Sequence, residues 1–202
     1  MKLIDTIFAL VSGRIIWIIF SDLLIGWGID LGMYNLLIAW IIFPFISLIC
    51  LWIAFLIGKK WLFAFQSAKF LLVGAVATVL DLKFFELLLI VPLAVIFLKG
   101  VSFIVATVLK YVGNKYWTFQ EYQPFEAAEG KQENLGLEIA QFIVITIIGT
   151  IIDVVSFYYF THIMGAPVAI NSVVWVKLSV IFAAIVAASF NFLGYKFLVF
   201  KK

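Results

Sequence analysis

Cysteine and histidine are nearly missing from this chain: Cys50 and His162 are the only ones among 202 residues. One thiol closes no internal disulfide, and one imidazole beside it makes no metal-ligand cluster. Catalysis by a cysteine–histidine couple would need these two side by side, and they lie on segments far apart in the sequence. Charge is scarce as well. Asp, Glu, Lys and Arg make up 12% of the residues, against about 25% in an average soluble domain. The net charge is only +3, and no dense basic cluster stands in polar surroundings, so no nucleic-acid partner is expected. A G-x-x-x-x-G-K-S/T loop is absent, which leaves no nucleotide-driven pump. No Asp-x-Asp pair and no nucleophile beside a base appears, so the chain is expected to be no enzyme, and no cofactor is implied.

What is abundant is apolar surface. Hydrophobic residues make up 66% of the chain, where an average soluble domain has about 45–50%. One globular core cannot hide that much. The chain reads as an all-α integral membrane protein, which excludes a soluble enzyme domain, a disordered chain and a secreted disulfide scaffold. The opening MKLIDTIFALVSGR carries Asp5 inside its apolar run and no small-residue cleavage site, so it reads as retained.

A span takes about 20 mostly apolar residues. Six stretches qualify: Ile7–Ile29, interrupted by Arg14 and Asp22; Tyr34–Gly58, with Pro44 expected to kink it; Ala68–Val91; Val101–Phe119; Leu137–Ile163; and Val176–Phe200. Long continuous runs favour helices over barrel strands, which alternate. Between the fourth and fifth spans lies the one soluble-looking segment, residues 120–136, with four glutamates. Lysines set the orientation. With the N-terminus inside, Lys2, Lys59, Lys60, Lys69, Lys115, Lys131, Lys196, Lys201 and Lys202 are cytoplasmic, and Asp30, Lys99, His162 and Lys177 are outside. Both termini are thus expected in the cytoplasm. Trp61, Trp117 and Phe197 fit an inner aromatic belt and Trp175 an outer one.

The spans repeat. KFLLVGAVATVLDLKFF aligns with QFIVITIIGTIIDVVSF, matching Phe70, Thr78, Asp81 and Phe85 to Phe142, Thr150, Asp153 and Phe157 at a constant offset of 72. KYVGNKYWTF aligns with NFLGYKFLVF, matching Gly113, Lys115 and Phe119 to Gly194, Lys196 and Phe200 at an offset of 81. Two spans return the chain to its starting side, so the last four spans form two parallel two-helix repeats, 68–119 and 137–200.

The pattern F-x-x-V-G-x-x-x-T-x-x-D with its closing aromatic–x–G–x–K–x–W–x–F resembles the GtrA-like family of small four-span membrane proteins, over roughly residues 68–200. The resemblance implies a role in polysaccharide or teichoic-acid glycosylation at the plasma membrane, moving polyprenyl-phosphate-linked sugars across it. It also implies an alternative, since similar domains anchor polyprenyl-phosphate glycosyltransferases. Two departures stand out: Lys110 where the family has a small or amide residue, and two extra spans in residues 1–60. Residues 61–202 are then the GtrA-like domain, with 120–136 as its cytoplasmic loop.

Charge at mid-bilayer costs about 2.5–3.5 kcal/mol even on the mild insertion scale. Helical spacing sorts the polar residues into stripes: Gly74, Thr78, Asp81 and Phe85; Phe103, Thr107, Lys110, Asn114 and Trp117; Thr146, Gly149, Asp153 and Ser156; Ala184, Ala188, Asn191 and Tyr195. At 1.5 Å per residue Asp81 lies roughly 18 Å from the inner face and Lys110 roughly 14 Å. Asp153 and Asn191 occupy the matching levels of the second repeat, so the four are expected to gather around a pseudo-two-fold axis, with Gly74, Gly149, Ala184 and Ala188 letting the helices approach.

Two readings follow. In one, Asp81 and Lys110 form an ion pair that fixes register, with Asp153 either neutral or bonded to Asn191. In the other, Asp81, Lys110, Asn114, Asp153 and Asn191 replace the hydration of a lipid headgroup, Lys115 and Lys196 attract its phosphate, and Trp117 and Tyr116 stack on a sugar. Lys83 and Glu86 are spaced to pair with each other, on a face that Arg14 or Asp22 could join. The partners expected are a polyprenyl-phosphate glycolipid and the bilayer, with a glycosyltransferase on the Glu121–Glu133 segment in the anchoring alternative. A homodimer suits six spans around a small polar site.

Overall fold

A computed structural model describes residues 1–26, 32–119, 134–167 and 172–200, and these hold six long helices and no strand. They are α1 (Leu3–Gly26), α2 (Gly32–Gly58), α3 (Leu62–Leu88), α4 (Val95–Gly113), α5 (Leu135–Tyr158) and α6 (Ser172–Gly194). Among the described residues four segments are long and apolar enough to cross a membrane: Gly32–Gly58, Val95–Thr118, Leu135–Met164 and Leu178–Val199. Helix α1 carries Asp5, Arg14 and Asp22, and α3 carries Lys69, Asp81, Lys83 and Glu86, which sets both apart from the other four. Apolar side chains cover the outside of the helices; on α2, Leu37, Ile41, Phe45 and Ile49 form one exposed stripe. Such a stripe would aggregate in water and is ordinary against lipid tails. The chain is a multi-pass, all-α membrane protein.

The chain divides into two compact units, Met1–Glu121 and Tyr122–Lys202. In the first, α1 to α4 surround a core of Ala9, Leu51, Phe65, Val73 and Trp117. Pro44 lies inside α2 and is buried, and α1 meets it with Gly13. A methyl added there would come within 2.6 Å of Pro44 Cα and 2.7 Å of the Phe43 carbonyl oxygen. Helix α3 starts six residues before the apolar stretch read from the sequence, and the added turns bury Phe65 and Gln66. The second unit packs α5 on α6. The Asn134 side chain caps α5 by accepting from the Leu137 N–H at 3.3 Å, and the Phe142 ring stacks on Tyr195 at 4.5 Å. Trp175 is buried there and donates to the Phe160 carbonyl at 2.9 Å, so its indole is not a plain belt residue.

The repeat is visible atom by atom. A methyl on Gly113 would meet Val73 at 2.9 Å, and one on Gly194 would meet Ile145 at 2.7 Å, the same pair shifted by the two sequence offsets. Thr78 donates to the Gly74 carbonyl at 3.0 Å, as Thr150 does to Thr146 at 3.0 Å. Both closing motifs leave the α-helical ladder and run on as π-helix, Asn114–Thr118 after α4 and Tyr195–Val199 after α6. Each π segment closes alike, with Phe119 N–H on the Asn114 carbonyl at 2.9 Å and Phe200 N–H on Tyr195 at 2.8 Å. The wider i→i+5 ladder locally opens the helix, a feature frequent at functional sites, and a third such segment, Tyr159–Met164, follows α5.

Candidate functional site

The π segments set the geometry of the two lysines in the closing motif. The Lys115 ammonium lies 5.6 Å from the Tyr111 ring centre and 5.9 Å from Tyr116, and donates to the Tyr111 hydroxyl at 3.3 Å. Lys196 lies 5.8 Å from the Phe192 ring and 5.7 Å from Phe197. Each lysine is thus framed by the aromatic ring one helical turn before it and the one directly after it. A cation held against ring faces keeps its charge while losing part of its water. The following rings, Tyr116 and Phe197, are 58% and 55% exposed and offer a free apolar face beside each cation. An anion with an attached flat or apolar group fits such a cap.

Deeper in the first unit, Asp81 does not pair with Lys110. Its carboxylate takes the Lys99 ammonium at 2.5 Å and the Ser102 hydroxyl at 2.7 Å. The reason is the packing face of α4. Leu98, Ser102 and Ala106 are the buried residues of that helix, so the inward stripe lies one residue earlier than the spacing argument put it. Phe103, assigned to that stripe, is 46% exposed. Ser102 and Ala106 are small enough for close approach, and that choice brings Lys99 rather than Lys110 to Asp81. On α3 the buried set includes Lys69, Phe70, Val73 and Ala77, while Thr78 is exposed. Gly74 faces open space and takes no part in close approach.

Lys110 is half-buried, and its carbonyl accepts from the Asn114 amide at 2.8 Å. Asn114 is fully buried, and its amide oxygen has no hydrogen-bond partner among the described residues. In the second unit Asn191 is buried with its amide pressed on Gly149, and its oxygen too has no such partner. Thr146 and Tyr195 join hydroxyls at 2.6 Å one turn away. Here Thr146 and Gly149 bear out the stripe read from the sequence, whereas on α6 Ala183 and Ala187 are buried in place of Ala184 and Ala188. Asp153 is half-buried, with no hydrogen bond or ion pair to a described side chain, so a bond to Asn191 is not formed. The Lys177 side chain, Asp30, and residues 120–133 with the proposed glycosyltransferase contact lie outside the described residues. A gathering of Asp81 and Lys110 with Asp153 and Asn191 would draw on both units, and neither unit assembles its own half of it.

Trp117 is not a surface aromatic. It is 4% exposed, stacks on Phe8 at 4.9 Å and donates its indole N–H to Asp5 at 2.9 Å. Asp5 also takes the Lys69 ammonium at 2.8 Å, with both side chains at most 2% exposed. Sequence reading missed this cluster, because Lys69 looked like one more inner-face lysine and Asp5 like a blemish in α1. Asp5 lies ahead of the first apolar stretch. Burial alone would raise its pKa. Hydrogen bonds from Lys69, the Lys2 backbone N–H and Trp117, with the Lys69 charge, outweigh that and hold the carboxyl below its ordinary value. Lys83 and Glu86 do pair, at 2.9 Å. Arg14 does not join them and instead lies 5.4 Å from the Trp40 ring centre; the Asp22 side chain lies outside the described residues.

Among the described residues no group of three His, Cys, Asp or Glu side chains could hold a metal ion. Compared with family models, residues 69–200 match the one described as GtrA/DPMS, transmembrane domain. No curated protein and no solved structure matches.

Proposed function

The chain belongs to the GtrA/DPMS transmembrane-domain family, and from that premise we propose that it moves a polyprenyl-phosphate-linked sugar across the plasma membrane for surface polysaccharide or teichoic-acid glycosylation. The observation that carries the reading is the twice-built cap, Lys115 between Tyr111 and Tyr116 and Lys196 between Phe192 and Phe197. The lysines take the phosphate, and the exposed rings of Tyr116 and Phe197 lie against the sugar or the first apolar carbons. A charged, hydrated head cannot enter hydrocarbon alone. Within each unit a polar set lowers that cost by standing in for water: the Lys110 ammonium and the Asn114 amide oxygen in the first, the Asp153 carboxylate and the Asn191 amide oxygen in the second. Asp81 is already matched by Lys99 and Ser102 and acts by positioning α4 on α3. The protein performs no chemistry on the sugar, and movement follows a lipid or ion gradient. Both termini are cytoplasmic in this reading, on the side of the caps.

The test is a leaflet assay. The protein is reconstituted in liposomes, and a fluorescent polyprenyl-phosphate sugar is followed from one leaflet to the other. Wild type should accelerate crossing, and Lys115→Gln with Lys196→Gln should slow it by about tenfold or more, the loss of two charge-assisted contacts. A folded wild type that gives no acceleration over empty liposomes would sink the translocase and leave the anchoring role for a glycosyltransferase.

A further inference from the structure

A cavity of about 280 Å³ opens in the first unit among α1, α3 and the end of α4, and the cap does not account for it. Its walls include Phe8 and Ser12 of α1, Val76 of α3, and Leu109, Tyr116 and Trp117 at the end of α4. The lining is almost wholly apolar, and a hollow of this size is near the small end of ligand sites, about 300 Å³. Phe8, Leu109 and Tyr116 are each more than two-fifths exposed, so the groove opens on the lipid side. Tyr116 joins it to the cap, because the same ring that borders the groove lies beside the Lys115 ammonium. The α1 wall precedes residue 69 and is outside the family match.

We propose that this groove holds the isoprenoid tail next to the phosphate of the lipid whose head is captured by Lys115, with α1 building one of its walls. The inference rests on the translocase reading for the identity of the head. A phosphate at Lys115 leaves its chain starting beside Tyr116, where the groove begins. The hollow is too apolar for a sugar, whose hydroxyls would find almost no hydrogen-bond partner in it. Branched Val76 and the rings of Phe8 and Trp117 are stiff and shape an irregular slot, which suits a methyl-branched, kinked chain.

The test measures binding of prenyl monophosphates of five, ten and fifteen carbons to the full chain in nanodiscs, with empty nanodiscs subtracted for partition. Affinity should rise by at least about tenfold from the shortest to the longest, as buried carbons add up. Val76→Phe and Leu109→Phe fill the groove from two different helices. Each should abolish the rise and leave the five-carbon probe bound as in wild type, with thermal melting to show that at least one is folded. A rise that persists in a folded filled variant, or equal affinity at all lengths in wild type, overturns the groove while the cap stands. An equal rise with straight-chain alkyl phosphates of the same carbon number overturns the isoprenoid occupant. Failure of every probe to bind overturns the cap reading and the groove with it.

Discussion

Asp5 and Lys69 form the most consequential contact between two side chains in the first unit. Removing one partner of a buried ion pair leaves an uncompensated charge, at a cost of about 3–5 kcal/mol. Asp5→Ala is therefore expected to lower the melting temperature sharply in detergent, while Asp5→Leu with Lys69→Met should recover most of the loss. A double variant as unstable as the single one would refute the account. Because the folded Asp5 pKa is depressed, its contribution is present at neutral pH. It fades as pH falls from the unfolded value of about 3.9 through the lower folded one. Melting curves of Asp5→Asn should lack that acid-side loss. Asp153 belongs to the same scale. It has no partner among the described side chains, and Asp153→Asn is expected to slow lipid crossing in the leaflet assay while changing stability by no more than about 1 kcal/mol.

At the scale of helices, glycines separate real contacts from apparent ones. Gly13 touches the backbone of α2 at Pro44, which cannot yield as a side-chain tip can. Gly13→Ala should destabilise by about 1–3 kcal/mol through overpacking. Gly74 meets nothing, so Gly74→Ala should be neutral or gain up to about 1 kcal/mol of helix propensity. Thermal melts of the two variants check this, and the opposite order would refute the packing described. The repeated threonines, closing phenylalanines and lysines are legible in the sequence itself, because matching residues at constant offsets must fill matching places. The inward stripes of α3, α4 and α6 are not. In a helix apolar all round, periodicity does not tell a core face from a lipid face, and the choice falls to whichever small residues allow close approach.

For the molecule as a whole, the first helix reaches into the family domain, where its Asp5 carboxylate meets Lys69 and Trp117. Deleting residues 1–60 removes the Asp5 carboxylate from Lys69 and Trp117 and strips one wall from the groove. The shortened chain is expected to be polydisperse and low-melting, and Lys69→Met within it should restore part of the loss. A truncation as stable as the full chain would show that Lys69 finds another partner. The link that the sequence suggests between these helices and the domain, Arg14 joining Lys83 and Glu86, is not formed: that pair closes within α3, and Arg14 lies over Trp40.

Composition alone determined that this is a helical membrane protein, since 66% hydrophobic residues in long runs have no other stable solvent. Repetition of rare polar residues determined the two-helix units and the closing lysine motif, and with it the family. Which charges meet was decided only by tertiary structure. Asp5 and Lys69 are 64 positions apart, and Asp81 had two lysines on α4 within plausible reach. A helix lists its residues by face only to within a rotation, and the energy that sets the rotation comes from packing against a neighbour the local sequence does not contain.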